Sequence, residues 1–492
     1  MIIQAMHAMM TPINILLMFG GVAVGTIFGA IPGLTGAIAI AIFLPMTYYM
    51  ESMAALALLI GIYVGGSFGG SIPAILIGTP GAPEAGITTF DGAPLARNGK
   101  GGKALKTALY ASCAGNFLSS ITTILMMSAL ARLALLLGPS EYCSIVLFSI
   151  VLIATIGSKG NWIKGLFAVM LGLAFALVGT DPMIGIPRFT FGFHSLNTGL
   201  ELIPVLIGLF VGGEMLGEVR ISSRRKSLTK IIKNENRFTK DEIKSCIPVI
   251  FTGSAIGSVI GALPGLNAAI SATLNYALAK KISKQPGEFG NGSVTGIAAS
   301  EAANNGTVGP TLVPLLTLGI PGSGTAAIFL GALTLHGVTV GPTIFQEHGD
   351  VVYGIFFALM FCTLALAIVG TVICGFAKYV TLVPAEILDP IIILVCCAGS
   401  YSISRRLFDV GCMMVFMLFG WLMKEIRIPM LPLLIAFLLG SMLETNFRRS
   451  LQINQNTLRG FASPLSVVFL VITAAMLVYA VAGSMAKKKK SE

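Results

Sequence analysis

The chain has 492 residues, of which 55% are hydrophobic and only 11% are charged, and its formal net charge is +11. A soluble domain carries about 25% charged residues, so this composition excludes a soluble globular protein and indicates a polytopic membrane protein. The basic residues cluster between apolar segments, which is typical of cytoplasmic loops and argues against a nucleic-acid-binding protein.

The first apolar span, at 13–30, runs into the sequence GAIPGL at 29–34. Another apolar segment begins at Ala54 and leads into GTPG at 78–81. Gly and Pro occur too often across 61–94 for one continuous helix. Lipid cannot satisfy free backbone groups, so a broken segment is tolerated only inside protein or beside water. We therefore predict a broken, re-entrant segment here.

Four conventional spans follow the loop at 97–106, and a basic stretch at 218–246 then divides the chain. The second half repeats the first. GSVIGALPGLNAAI at 257–270 is identical to GTIFGAIPGLTGAI at 25–38 at eight of 14 positions, and GIPG at 319–322 matches the earlier GTPG. Matched landmarks in the same order indicate an internal duplication.

The charges of equivalent loops indicate how the two repeats are oriented. Residues 218–245 carry nine Lys or Arg, which predicts a cytoplasmic location, and the loop at 97–106 carries four. The equivalent loop at 337–350 carries none, which predicts the outer side. Equivalent loops on opposite sides imply inverted-topology repeats. The arginine pairs at 405–406 and 448–449 conflict with this arrangement, because they fall on its outer side.

We therefore expect an all-α polytopic membrane protein with two inverted-topology repeats, broken helices and about 10–12 transmembrane helices. The predicted division has a first repeat at 12–217 and a basic cytoplasmic linker at 218–246. An inverted second repeat at 247–449 and a final helix at 464–484 with a basic cytoplasmic tail complete it.

The two G-x-P-G sequences are the predicted tips of re-entrant hairpins and the predicted substrate site. A helix N-terminus at such a tip offers free N–H groups and partial positive charge, which suit a carboxylate. No Lys or Arg stands beside either tip in the sequence, so we expect the carboxylate to be bound without a buried arginine. Kinks that serve only helix packing are the alternative. The predicted substrate-binding residues are Gly78, Thr79, Pro80, Gly81, Gly319, Pro321, Gly322, Ser323, Gly324 and Thr325.

A polar run in an apolar segment, SEAANNG at 300–306, is the second predicted site. Glu301 and the adjacent Asn pair are costly at membrane depth unless they face a cavity or a partner. Sodium ions are bound by amide, hydroxyl and carbonyl oxygens, whereas hydrogen bonding between helices is the structural alternative. We expect no cofactor and no metal beyond a transported sodium ion. The predicted cation-coupling residues are Thr35, Ser71, Asn267, Asn304, Asn305 and Thr307.

These motifs resemble those of the large membrane subunit of tripartite tricarboxylate transporters. The matching runs are GAIPGLTG at 29–36, GGSFGGSIP at 65–73, GTPG with FDG at 90–92, EAANN at 301–305 and LGIPG at 318–322. The resemblance implies import of small carboxylates such as citrate across the bacterial inner membrane, driven by a sodium (or proton) gradient. It also implies a periplasmic solute-binding protein, a small integral-membrane subunit and a fold related to elevator-type carriers.

We therefore expect a secondary transporter and not an enzyme, because the sequence contains no H-E-x-x-H or Walker motif and no paired Asp within its apolar spans. A gated anion channel and an intramembrane enzyme using Glu301 with Asn304 are the alternatives. A channel cannot concentrate its substrate, and an enzyme would change it chemically. A scaffold protein would not explain two matched polar tips.

Overall fold

The computed structural model describes residues 2–156, 158, 161–213, 238–380 and 385–491, and its regular structure is almost wholly helical. The α-helices are α1 (Ile2–Met9), α2 (Pro12–Ala30), α3 (Gly36–Phe43), α4 (Ser52–Gly69), α5 (Ser71–Leu76), α6 (Thr88–Arg97), α7 (Gly101–Ala134), α8 (Pro139–Ile156), α9 (Trp162–Ala176), α10 (Leu202–Ile207), α11 (Lys240–Gly261), α12 (Ala268–Ile282), α13 (Val294–Asn305), α14 (Leu312–Leu318), α15 (Gly324–Leu335), α16 (Ile344–Glu347), α17 (Gly349–Val380), α18 (Ala385–Ser404), α19 (Leu407–Glu425), α20 (Met430–Ile453) and α21 (Pro464–Ser491). A two-stranded antiparallel ribbon pairs β1 (Gly179–Thr180) with β2 (Pro187–Arg188).

Among the described residues, nine helical segments are long and apolar enough to cross a membrane. They are Pro12–Ala30, Ser52–Leu76, Gly101–Arg132, Pro139–Ile156, Lys240–Gly261, Gly349–Ala377, Leu407–Glu425, Met430–Ile453 and Pro464–Ala482. The prediction of an all-α polytopic membrane protein is confirmed. Of the predicted linker at 218–246, residues 218–237 lie outside the described part of the chain.

Both halves of the chain contain the same order of elements. A long helix, a glycine turn, a further helix and a broken helix follow one another as α2, α3 and α4–α5, and again as α11, α12 and α13–α14. The turn glycines Gly33 and Gly265 have φ angles of +90° and +85°, and Gly78 and Gly319, after the broken helices, have +71° and +70°. Only glycine adopts this left-handed backbone without strain, which explains its recurrence at these matched positions.

The chain forms two compact units, and each draws on both halves of the sequence. Unit 1 comprises Met1–Ala131, Glu214–Leu263 and Asn267–Arg405, and unit 2 comprises Arg132–Gly213, Pro264–Leu266 and Arg406–Glu492. All predicted substrate-binding and cation-coupling residues belong to unit 1.

Glycines at matched positions allow close helix packing in unit 1. A Cβ on Gly25 of α2 would lie 2.2 Å from the carbonyl oxygen of Ile62 in α4. A Cβ on Gly257 of α11 would lie 2.7 Å from the carbonyl carbon of Gly306, at the end of α13. No larger residue fits at either contact, so small residues hold each broken helix directly against a long one.

An ion-pair network in unit 2 joins the ribbon to α20. The Arg188 guanidinium binds Glu444 at 2.7 Å and lies 3.3 Å from Asp181, and the Arg448 guanidinium lies 2.8 Å from both acids. Arg406 is also paired, through Nη2 at 3.1 Å from Glu201. Arg406 and Arg448 belong to the two arginine pairs whose charge conflicts with the predicted topology. Both form ion pairs within the protein, which the charge of a loop does not reveal.

Asp181→Asn is expected to lower the melting temperature of the detergent-solubilised protein at neutral pH. Burial raises the pKa of Asp181, but hydrogen bonds from the N–H groups of Met183 and Ile184 and from Arg448 outweigh it and lower the pKa to about 2. Because the folded pKa lies below the unfolded value of about 3.8, the stabilisation is present above that value and is lost as the pH falls towards 2. Melting curves of parent and variant from pH 7 to pH 2 should therefore converge at the acid end, and curves that stay parallel would contradict the assignment.

Candidate functional site

The second hairpin tip is a buried chain reversal that ends at a helix N-terminus. Gly319 closes α14 in a left-handed conformation, and its N–H donates to the Leu315 carbonyl at 2.9 Å. Pro321 and Gly322 are buried. Ser323 then caps α15, accepting a hydrogen bond from the Ala326 N–H at 3.1 Å. The first N–H groups of a helix have no partners within it, so this tip presents donors of the kind that bind anions.

The first tip has the same glycine turn but a different continuation. Gly78 follows α5 in a left-handed conformation, and Thr79 and Pro80 are exposed. Gly81 is buried, its N–H donates to the Gly70 carbonyl at 3.0 Å, and the space beside it admits no side chain. A 3-10 turn, Pro83–Gly86, comes next, and the α-helix α6 begins only at Thr88. The first tip is therefore followed by a 3-10 turn and not directly by the N-terminus of an α-helix.

An exposed arginine lies beside the first tip, although no basic residue is close to that tip in the sequence. Nη2 of Arg97, at the end of α6, lies 3.5 Å from the point that a Cβ on Gly78 would occupy. The sequence hid this contact because 18 residues separate the two positions, and α6 folds back along α5 to close the gap.

The strongest polar cluster surrounds Glu301, whose side chain is fully buried in α13. The Ser71 hydroxyl donates to Oε1 at 2.6 Å, the Thr88 hydroxyl donates to the same oxygen, and the Ser112 hydroxyl donates to Oε2 at 2.9 Å. The Asn305 amide also approaches Oε2, at 3.5 Å. Among the described residues, none of these partners is basic. The carboxylate therefore draws together α5, α6, α7 and α13 without a protein cation.

The predicted cation-coupling residues Asn304 and Asn305 lie at this cluster or beside it. Both are buried, and among the described residues their side-chain amide oxygens have no hydrogen-bond partner. Their amide nitrogens are used: that of Asn304 donates to the Ser67 carbonyl at 3.3 Å, and that of Asn305 donates to Ser112 at 2.8 Å. The Thr307 hydroxyl donates to the Asn304 carbonyl at 2.8 Å. Two buried acceptors without donors are suited to a cation, since leaving them unmet is costly.

Thr35 and Asn267 occupy matched positions but act as helix caps. The Thr35 hydroxyl accepts from the Ile38 N–H at 3.3 Å at the start of α3, and the Asn267 side chain accepts from the Ile270 N–H at 3.1 Å at the start of α12. No hydrogen bond among the described residues joins either of them to Glu301. Their shared position thus has a local explanation in helix capping.

Three residues near the site were not singled out from the sequence. The hydroxyls of Ser112 and Thr88 donate hydrogen bonds to the Glu301 carboxylate. Tyr63, in α4, is buried with its hydroxyl near the side chains of Thr311 and Ser323. An isolated hydroxyl in an apolar helix gives no signal by itself, because such groups commonly bond to their own backbone.

Asp91 fixes α6 to the segment before α13. It is fully buried, and its Oδ1 accepts from the N–H groups of Gly290 at 2.7 Å, Ser293 at 2.9 Å and Gly292 at 3.0 Å. The Tyr276 hydroxyl donates to Oδ2 at 2.8 Å. Because four donors of the protein bind its carboxylate, Asp91 is explained as a structural anchor.

Comparison with known proteins gives the chain a family context. The sequence model of the tripartite tricarboxylate transporter TctA family matches residues 15–435. An uncharacterised 52.8 kDa protein of the TAR-I ttuC′ 3′ region of Agrobacterium vitis is 32% identical over 481 residues, covering 98% of this chain and 95% of the relative. An uncharacterised protein of the TAR-II ttuC′ 3′ region of the same organism is 31% identical over 216 residues, covering 44% of this chain and 89% of the relative. No solved structure matches the chain.

Proposed function

Because the chain belongs to the tripartite tricarboxylate transporter TctA family, we propose that it is the large subunit of a binding-protein-dependent secondary transporter for small organic carboxylates. In this proposal it resides in the bacterial inner membrane and works with a small integral-membrane subunit and a periplasmic solute-binding protein. Citrate and other tricarboxylates are the proposed substrates, and a sodium (or proton) gradient drives their import.

The observation that carries the proposal is the pair of broken helices in unit 1. Each helix ends at a glycine, and the φ angles of the two glycines are nearly the same. The first tip continues through Thr79 to the buried Gly81, and the second continues through the buried Pro321 and Gly322 to Ser323. Paired interruptions of this kind in corresponding halves of a chain are typical of transporter binding sites. We propose that the two tips hold the substrate carboxylates through backbone N–H groups and the hydroxyls of Thr79, Ser323 and Thr325.

Coupling to a cation is proposed from the Glu301 cluster. The buried carboxylate, together with the amide oxygens of Asn304 and Asn305, which have no hydrogen-bond partner among the described residues, concentrates negative charge and acceptor atoms in one part of unit 1. A cation there would offset the charge of the anionic substrate and lower the cost of moving it through a membrane.

The proposed organisation follows the duplication. Two inverted repeats, at 12–217 and 247–449, each contribute one hairpin, and the linker at 218–246 is cytoplasmic. The identical order of helices around Gly78 and around Gly319 supports this division. Alternating exposure of the site would come from movement of part of each repeat, as in elevator-type carriers.

The test is uptake of radiolabelled citrate and other carboxylates into proteoliposomes holding this subunit, the small subunit and the binding protein. Ser323→Ala and Asn304→Ala are expected to lose most gradient-driven accumulation, because they remove a tip hydroxyl that caps α15 and a buried amide acceptor. The matched controls Ser402→Ala and Asn446→Ala change side chains bonded to their own helices and should transport normally.

The alternatives give different results in the same assay. A channel would pass citrate only down its gradient and would be indifferent to an imposed sodium or proton gradient. An enzyme would release a chemically altered product, whereas a transporter returns its substrate unchanged. Equal uptake by the four variants would refute the proposed site even if accumulation itself were observed.

A further inference from the structure

A guanidinium group lies over the backbone of the first hairpin tip. Nη2 of Arg97 is 3.5 Å, and the Ala93 methyl group 3.6 Å, from the point that a Cβ on Gly78 would occupy. These two residues are one helical turn apart, so they lie on the same face of α6. Two residues of one face of α6 therefore lie beside Gly78, so the contact involves the helix and not only the end of a long side chain.

The position of α6 is itself fixed. Asp91, six residues before Arg97, accepts three backbone hydrogen bonds and one from Tyr276 and is fully buried. Gly292 also packs against the α6 backbone, since a Cβ on it would lie 3.3 Å from the Leu95 nitrogen. The guanidinium is therefore attached to an anchored helix, which lowers the entropic cost of using it to bind a ligand.

The Arg97 side chain is exposed, and no acidic side chain among the described residues forms an ion pair with it. Its nearest acidic neighbour on α6, Asp91, is fully occupied by its four donors. The guanidinium has five N–H donors in a planar fork that matches a carboxylate in two parallel hydrogen bonds. It is positioned at the tip with its donors available.

The two tips differ in how they could compensate the charge of an anion. The second tip is directly followed by the N-terminus of α15, which supplies free N–H groups and partial positive charge. The first tip is followed by a 3-10 turn and has no α-helix N-terminus of its own. Arg97 adds a full positive charge beside the first tip, and Gly78, having no side chain, lets a ligand approach closely.

We propose that Arg97 binds one carboxylate group of the substrate at the first tip. This inference rests on the proposed function. The alternative is a structural role without substrate contact. In that case Arg97 interacts favourably with the helix dipole at the C-terminus of α6 and belongs to a basic loop.

The decisive experiment measures KM and Vmax for citrate and succinate uptake in the reconstituted three-component transporter. The variants are Arg97→Ala, Arg97→Gln and Arg97→Lys, and Arg459→Ala is the control because it removes an exposed arginine in unit 2. Loss of a charge-assisted pair should raise KM by about 10- to 100-fold in Arg97→Ala and Arg97→Gln, with Vmax changed much less. Arg97→Lys should recover part of the affinity, since it keeps the charge but not the planar fork.

The possible outcomes separate the two proposals. An unchanged KM in Arg97→Gln, with parent transport intact, would overturn the role of Arg97 and leave the proposed function standing. The glutamine variant decides this point even if Arg97→Ala does not fold, because it keeps a side chain of similar length. A parent complex that accumulates no carboxylate at all would overturn the proposed function itself, and an equal KM increase in Arg459→Ala would show that general surface charge, and not the tip, is responsible.

Discussion

Glu301→Gln is expected to abolish cation-driven accumulation of the substrate while leaving the protein folded. The glutamine side chain has nearly the same shape and still accepts hydrogen bonds through its remaining oxygen, so Ser71 and Thr88 keep an acceptor. The negative charge is lost, and the new amide faces the Ser112 hydroxyl that previously donated to Oε2. A site that depends on a buried carboxylate to attract a cation therefore loses its main electrostatic contribution.

Two transport measurements on proteoliposomes, together with the melting temperature, separate coupling from binding. Gradient-driven uptake should fall to the level of protein-free liposomes, whereas exchange of internal for external substrate without a gradient should persist. Glu51→Gln is the matched control, because Glu51 is an exposed glutamate in unit 1 whose side chain does not cap α4. The melting temperature should stay close to that of the parent. Full gradient-driven accumulation by Glu301→Gln would remove Glu301 from the coupling mechanism.

Glu301→Ala addresses the structural side of the same residue. This variant leaves three hydroxyl donors and an amide around an empty space, and unmet buried donors cost about 1–3 kcal/mol each. A much larger loss of stability in the alanine variant than in the glutamine variant would show that the cluster also holds α5, α6, α7 and α13 together.

The parts of this fold that are local in sequence were predictable. Apolar length and composition predict the membrane helices, and the need for glycine in left-handed turns agrees with the positive φ angles of Gly78 and Gly319. The caps at Thr35 and Asn267 were also local signals, since each follows a Pro-Gly-Leu turn and precedes a helix. Their pairing between the halves also fits a cation site, but helix capping explains the same pairing.

The long-range part of the site was not predictable from residue types. Glu301 was recognised as unusual in an apolar segment, but its partners lie 189 to 230 residues away in three other helices. The same is true of Arg97 over a shorter sequence distance. In the sequence it is one of several basic loop residues, and only the packing of α6 against α5 places it beside Gly78. Periodicity and motif spacing describe one segment at a time, whereas these contacts depend on which helices pack together.

Asp91→Ala is expected to be among the most destabilising substitutions in unit 1. It would remove the acceptor of three backbone N–H groups, of which that of Ser293 is buried, and of the partly buried Tyr276 hydroxyl. The expected loss is about 4 kcal/mol, since hydrogen bonds to a charged group contribute about 1.5–3 kcal/mol each and partial relaxation recovers some of it. Thermal unfolding of the detergent-solubilised protein should shift down by about 10 °C.

Tyr276→Phe and Asp91→Asn divide this effect into its parts. Tyr276→Phe removes one of the four hydrogen bonds and should cost about 1 kcal/mol, whereas Asp91→Asn keeps one oxygen for the three N–H groups and should be intermediate. If the anchor also positions Arg97, Asp91→Asn protein that remains folded should show a raised KM for citrate with little change in Vmax. An unstable Asp91→Asn variant with a normal KM would instead show that Asp91 stabilises the fold but is not needed to position Arg97 at the tip.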